Sequence, residues 1–110
     1  MQAYKLPDAA SSVLTISTVA VSLQTAINTA SASGGVDLTG LDAIDLMVTA
    51  EDISILWDGS TPTAANGLLI GQNNDSKAIT LRGIDLQKIQ MIRSGAVDAT
   101  VRIQIGKTTR

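Results

Sequence analysis

The sequence contains no cysteine and no histidine. The chain can therefore form no disulfide, thiol nucleophile or Ser-His-Asp triad, and zinc sites built from the usual ligands are excluded. Aromatic residues make up only 2% of the chain, with Trp57, Tyr4 and no phenylalanine. Surfaces that bind sugars or single-stranded nucleic acids rely on aromatic platforms, so both functions are disfavoured. We therefore expect no catalytic residues, no cofactor and no metal, and we do not expect an enzyme.

An excess of basic residues is also missing. The 110 residues include 8 basic and 10 acidic side chains, which gives a net charge of -2. Nucleic-acid binding through release of counterions is disfavoured because it needs a basic surface. No apolar run is long enough to span a membrane, and the start of the sequence lacks the apolar core of an export signal. We expect a soluble protein that stays in the cytoplasm in which it is made.

The residues that are present favour β-structure. Hydrophobic residues make up 45% of the chain and charged residues 16%, which is too apolar for a disordered protein. Period-2 alternation is clearest in the last segment, where Val101, Ile103 and Ile105 alternate with polar residues. Six further segments have strand-like composition between glycine, asparagine and aspartate turns. They span residues 12–21, 43–49, 53–57, 68–70, 79–81 and 88–93.

This spacing predicts an all-β fold, either an antiparallel β-sandwich or a small barrel of about six to eight strands. Ser22 can cap one short helix near residues 22–30, because apolar residues then recur at helical spacing. An irregular strand is the alternative for this segment, since it also contains Asn28 and Thr29. We expect residues 1–11 to form an extended N-terminal arm and residues 12–110 to form a single domain.

Two groups of polar residues could carry chemistry. Paired carboxylates can hydrolyse glycosides when they flank one cleft, and they occur here at Asp42, Asp45, Glu51, Asp52 and Asp58. These acids lie at strand ends and turns, where aspartate commonly accepts hydrogen bonds from backbone amides, and we favour that role. The oxygens of residues 73–75 suit calcium, but the spacing of a calcium-binding loop is missing, so a solvated hairpin tip is preferred.

Interface candidates come from the arginines and the few aromatic residues. Arg82, Arg93 and Arg102 are expected to face outward from their strands, either as a solubilising surface or as a cationic stripe for an acidic protein. Tyr4 and Leu6 are the large apolar residues that could attach the arm to a partner. Trp57 is expected in the core, with an interface position as the alternative.

Two stretches of the sequence resemble a known class of protein. Residues 53–67 read ISILWDGSTPTAANG, and residues 88–104 read KIQMIRSGAVDATVRIQ. Together they resemble the small β-rich virion proteins of tailed bacteriophages. The order of the motifs is similar: a strand leading into Asp-Gly-x-x-Pro-Thr-Ala, an apolar strand, an Ile-Arg segment and a final Ala-Thr strand. The resemblance covers roughly residues 41–105, but the sequence does not end in the aromatic strand that such proteins often have.

This resemblance implies a non-enzymatic capsid decoration (cement) protein, assembled in the host cytoplasm and located on the capsid surface. Its partners would be the major capsid protein and further copies of itself, with a homotrimer favoured and a dimer as the alternative. A tail or fibre component that binds a receptor or a sugar is the second hypothesis, and a small hydrolase that uses aspartates is ranked last.

Overall fold

The computed structural model describes residues 13–30 and 37–107, and residues 2–4 through their backbone. These residues form nine strands, one α-helix and one short 3-10 helix. The strands are β1 (Gln2–Tyr4), β2 (Val13–Ile16), β3 (Val21–Ser22), β4 (Ala43–Ala50), β5 (Asp52–Leu56), β6 (Leu68–Gly71), β7 (Ala78–Arg82), β8 (Gln90–Arg93) and β9 (Ala99–Lys107). The helix α1 spans Leu23–Ala30, and the 3-10 helix spans Leu86–Lys88.

All strand pairs are antiparallel, and they build two sheets. In the large sheet β9 lies between β4 on one side and both β1 and β2 on the other, and β7 pairs with the far edge of β4. In the small sheet the order is β3-β8-β5-β6. The sheets enclose one core as a small sandwich and do not close into a barrel. The predicted antiparallel β-sandwich with one short helix is therefore confirmed.

The centre of the core is formed by β4 and β9, because their apolar residues alternate with polar ones. Ile44 lies opposite Ile105, and Leu46 lies opposite Ile103. These four side chains are buried or nearly so, with at most 7% of their surface exposed. Burying an aliphatic side chain of this size stabilises a fold by about 1.5–3 kcal/mol. The period-2 pattern in the sequence placed both strands and their inner faces correctly.

The first predicted strand, residues 12–21, is divided between the two sheets. Val13–Ile16 pairs with β9 in the large sheet, whereas Val21–Ser22 pairs with β8 in the small sheet. Residues 17–20, between these two strands, carry the chain from one sheet to the other. The continuous strand expected from the β-branched composition is therefore wrong, since composition does not show where a chain changes sheet.

The helix α1 covers the side of the sandwich where β2 and β3 lie. Its N-terminus is capped as expected, since the hydroxyl of Ser22 accepts a hydrogen bond from the backbone N–H of Thr25 at 3.1 Å. Leu23, Ala26 and Ile27 point inward and are buried. The helix packs against β2, β3 and the 3-10 helix. We call this region the helix side.

On the opposite side, at β6 and β7, the chain passes from one sheet to the other at two connections that lie next to each other. Glu51 alone joins β4 to β5, and its φ of 62° lies in the left-handed region that few side chains adopt. Residues 72–77 join β6 to β7. The backbone N–H of Gln72 donates to the carbonyl of Glu51 at 3.0 Å, so the two connections touch. We call Glu51, Asp52, Gly71 and residues 72–76 the corner. The corner side is the region formed by β6, β7 and the corner.

Candidate functional site

Two of the three predicted interface arginines lie on the outer face of the large sheet. This outer face is the surface that points away from the core, formed by Val13, Asp45, Met47, Thr80, Arg82 and Arg102. The sheet register places Met47 between Ala78 and Arg102, and Arg102 lies next to Val13. An exposed row therefore crosses the sheet from β7 to β2, with one cation, Arg102, beside three apolar residues, Ala78, Met47 and Val13.

The side chain of Arg82 is held by interactions within its own sheet. Its guanidinium forms an ion pair with Asp45 at 3.1 Å and donates a hydrogen bond to the carbonyl of Leu81 at 2.9 Å. The hydroxyl of Thr80 donates to the same Asp45 carboxylate at 3.0 Å. Partial burial raises the pKa of Asp45, but the hydrogen bonds from Arg82 and Thr80 outweigh it and hold the pKa below its usual value. Asp45 thus neutralises Arg82 within the sheet.

Arg102 differs because no acidic side chain among residues 13–30 and 37–107 forms an ion pair with it. It borders a shallow hollow of 340 Å³ that is also lined by Met47, Ala78, Thr80 and Gln104. Met47 is 52% exposed and Val13 is 39% exposed, so apolar surface flanks the guanidinium on both sides. This arrangement suits a partner that offers a carboxylate beside an aliphatic side chain.

Arg93 lies in the other sheet and does not extend this surface. It pairs with Ile53 in the register of β5 and β8, and Ile53 is fully buried. The expectation that Arg93 faces outward is therefore wrong: it lies on the core side, at the end of the sandwich. Its guanidinium forms an ion pair with Asp98 at 2.6 Å, and its Nε is buried with no hydrogen-bond partner in the described part of the chain. The three arginines form no common stripe.

The two residues expected to attach the N-terminal arm to a partner, Tyr4 and Leu6, lie largely outside the described residues. The backbone of Tyr4 belongs to β1 and pairs with Ile105, so the first residues of the expected arm form an edge of the large sheet. The side chain of Tyr4 and the whole of Leu6 lie outside the described residues.

Most of the predicted carboxylates have local partners. Asp58 accepts a hydrogen bond from the backbone N–H of Ser60 at 2.9 Å, and this bond holds its pKa below the usual value. Asp45 is paired with Arg82, as described above. Within the described residues, no three acidic side chains come together in a group that could hold a metal ion.

Asp52 organises the corner, where it accepts a backbone hydrogen bond, as expected of these acids, and also side-chain hydrogen bonds that the sequence did not predict. Its side chain is 9% exposed and accepts three hydrogen bonds: from the backbone of Asn73 at 2.9 Å, from the Asn73 amide at 2.7 Å and from the Asn74 amide at 3.1 Å. The bonds from Asn73, followed by the one from Asn74, hold the pKa of Asp52 below its usual value despite its burial. The amides of Asn73 and Asn74 thus turn toward a carboxylate of the same chain.

The second exposed apolar region lies on the small sheet. Leu68 is 45% exposed and Leu69 is 42% exposed, although both belong to β6. Trp57 is half-buried at the rim of the core and borders a hollow of 230 Å³ with Leu56 and Leu68. The sequence predicted β6 but not the exposure of its leucines, because exposure depends on β6 being an edge strand.

No helix within residues 13–30 and 37–107 has the length and apolar character needed to cross a membrane. Comparison with known proteins found no matching family model, no matching curated protein and no matching solved structure.

Proposed function

We propose that this chain is a structural protein of a tailed-bacteriophage virion that decorates the capsid exterior through protein–protein contacts. The proposal rests on the resemblance of residues 53–67 and 88–104 to small phage virion proteins. Its partners would be the major capsid protein and further copies of the chain. The observation that carries it is the outer face of the large sheet, where Arg102 lies between exposed Val13 and Met47.

This row has the composition of a protein-binding surface. Apolar contact contributes roughly 25 cal/mol for each Å² removed from water, so covering Met47 and Val13 would favour association. Arginine and methionine are also enriched in protein interfaces relative to other surfaces. The charge of Arg102, which pairs with no acidic side chain among residues 13–30 and 37–107, would orient an acidic partner during the encounter, adding to association rate and specificity more than to affinity.

The number of copies per particle tests the proposal directly. Quantitative mass spectrometry of purified virions should find on the order of hundreds of copies, because a capsid repeats each of its symmetric contacts many times. A handful of copies would instead indicate a tail or fibre component, and absence from purified particles would contradict a virion role altogether.

The role of the outer face is tested with paired variants. Arg102→Gln and Met47→Ser should each weaken binding to particles that have been stripped of this protein, measured by co-sedimentation. Lys88→Gln and Val97→Ser are matched controls that remove an equivalent charge or exposed apolar side chain elsewhere on the surface. Equal loss of binding in variants and controls would show that the outer face is not the attachment surface.

A further inference from the structure

The strand β6 has one open edge. Its four residues pair with β5 on one side, and no other strand described here pairs with its second side. An edge strand presents free N–H and C=O groups that can pair with another chain. The groups of Gly71 are already used within the chain, since its N–H donates to the carbonyl of Ser76 at 2.9 Å and its carbonyl accepts from the N–H of Asn74 at 3.2 Å. The free part of the edge therefore precedes Gly71. Of the other edge strands, β2 and β3 lie beside α1, β7 ends on the charged residue Arg82, and β1 is described only through its backbone.

The side chains of β6 are exposed on both of its faces. Leu68 lies in the core-facing register opposite Ile55, and Leu69 lies on the outward register opposite Ser54. Each leucine nevertheless keeps more than 40% of its surface exposed. A partner strand added along this edge would cover apolar surface on both faces of the small sheet.

The sequence of this segment is nearly self-complementary. It reads Gly67-Leu68-Leu69-Ile70-Gly71 and is almost the same in both directions. An antiparallel pair formed by two copies of such a strand reproduces the same contacts in each copy, as a two-fold interface requires. Leu69 would face its own copy, and Leu68 would face Ile70 of the other chain.

We propose that two copies of this chain associate through β6, paired antiparallel about a two-fold axis at Leu69. The two small sheets then continue into each other across the dimer. This contact favours the dimer over the trimer that the resemblance implies, and it does not depend on a virion role.

The charges of the chain do not oppose a second copy at this edge. A two-fold contact brings residues near its axis close to their own copies, so a charged residue there would meet a like charge, which is repulsive. The residues from Gly59 to Asn74 include no charged side chain. Pairing through β6 therefore brings no like charges face to face along the strand, whereas pairing through β7 would involve Lys77 and Arg82.

Single-cysteine variants test the pairing and its register, because the chain has no cysteine of its own. In the proposed pair the two copies of residue 69 lie directly opposite, within the Cα separation of about 4.4–6.8 Å that a disulfide allows. The two copies of residue 68 would be about 8 Å apart, which is too far. Leu69→Cys should therefore form a disulfide-linked dimer under mild oxidation, and Leu68→Cys in the same strand should not.

Two measurements complete the experiment. Sedimentation equilibrium of the unchanged chain at about 50 μM should show a dimer, since specific contacts commonly have micromolar or lower dissociation constants. Leu69→Lys should raise the dissociation constant about tenfold or more with an unchanged circular dichroism spectrum, because a lysine on an edge strand blocks strand addition.

A monomer at that concentration would overturn the proposal. Equal cross-linking of Leu68→Cys and Leu69→Cys, or of Met47→Cys on the large sheet, would overturn the proposed register. None of these outcomes alters the copy number in virions, so failure here is distinguishable from failure of the proposed function.

Discussion

The two sides of the sandwich are closed in different ways. On the helix side, α1 covers β2 and β3 with apolar side chains that are fully or almost fully buried. On the corner side, the two sheets are joined by backbone connections and by the hydrogen bonds of Asp52, and the leucines of β6 remain exposed. Apolar burial therefore stabilises the helix side within one chain, while the corner side retains apolar surface that a second chain can cover.

The largest difference in the free energy of unfolding is expected between substitutions of apolar residues on the two sides. Ile27→Ala should lower the free energy of unfolding by about 2–5 kcal/mol, because Ile27 is fully buried on the inner face of α1 and its removal leaves a cavity. Leu68→Ala on the corner side should lower it by about 1 kcal/mol or less, since Leu68 is already 45% exposed. Urea denaturation of dilute protein measures both values. Equal losses would show that the two sides are equally packed.

The corner itself should tolerate no side chain at Gly71. Gly71 has a φ of 153°, and an added Cβ would lie 2.6 Å from the Cα of Asp52, which is backbone and cannot move aside. We expect Gly71→Ala to lower the free energy of unfolding by about 2–4 kcal/mol, as backbone strain and a clash combine. Gly95→Ala is the control, since an added Cβ there meets no atom within 4 Å. A similar effect for both alanines in thermal denaturation would contradict the close packing of the corner.

Acid should weaken the corner side before the helix side. The pKa of Asp52 is lowered in the folded protein, so its ionised form stabilises the fold above the unfolded pKa. This contribution is lost as the pH falls below about 4 and passes through the folded pKa. Asp52→Asn should lower stability by about 1–2 kcal/mol at neutral pH, and the difference from the unchanged chain should shrink in acid.

Urea denaturation between about pH 3 and 7 measures this difference. The control Asp75→Asn removes the same charge from an exposed side chain within the corner. A difference between Asp52→Asn and the unchanged chain that does not vary with pH would show that the Asp52 charge has no role in the corner.

The smallest expected effect concerns the start of α1. Ser22→Ala removes the side-chain oxygen that accepts a hydrogen bond from Thr25, and an N-cap of this kind contributes about 1 kcal/mol. Thr18→Ala, at an exposed position before the helix, should change stability by less than about 0.5 kcal/mol. If the two variants are equally stable in calorimetry, the helix side depends on its buried residues and not on its cap.

The strands with clear alternation could be predicted from the sequence alone. In β4 and β9 every second residue is aliphatic, so the pattern determines both the strand and its inner face. The position of Arg93 could also have been found, because it lies two residues after Met91 and therefore on the same face. The polar character of arginine suggested the opposite face. At the end of a sandwich, however, a long side chain can start on the core side and reach the edge.

The remaining features depend on contacts between distant parts of the chain. The hydrogen bonds of Asp52 come from Asn73 and Asn74, which follow it by 21 and 22 positions in the chain. The sequence gives no sign of this pairing. The exposure of Leu69 depends on β6 having a neighbour on only one side. The outer face likewise combines residues from β2, β4, β7 and β9, and their order in the sheet is a property of the topology.

The central position of β9 has a consequence for synthesis on the ribosome. β9 is the last of the described strands, yet β1, β2 and β4 all pair with it. The small sheet needs only residues up to Arg93, so its strands are available earlier during translation. β4 and β7 can pair before β9 emerges. We expect β1, β2 and β4 to pair with β9 in one late step, because pairing between distant segments must wait for both of them. Until then the edge of β4 that pairs with β9 is open, and such an edge exposes the nascent chain to aggregation.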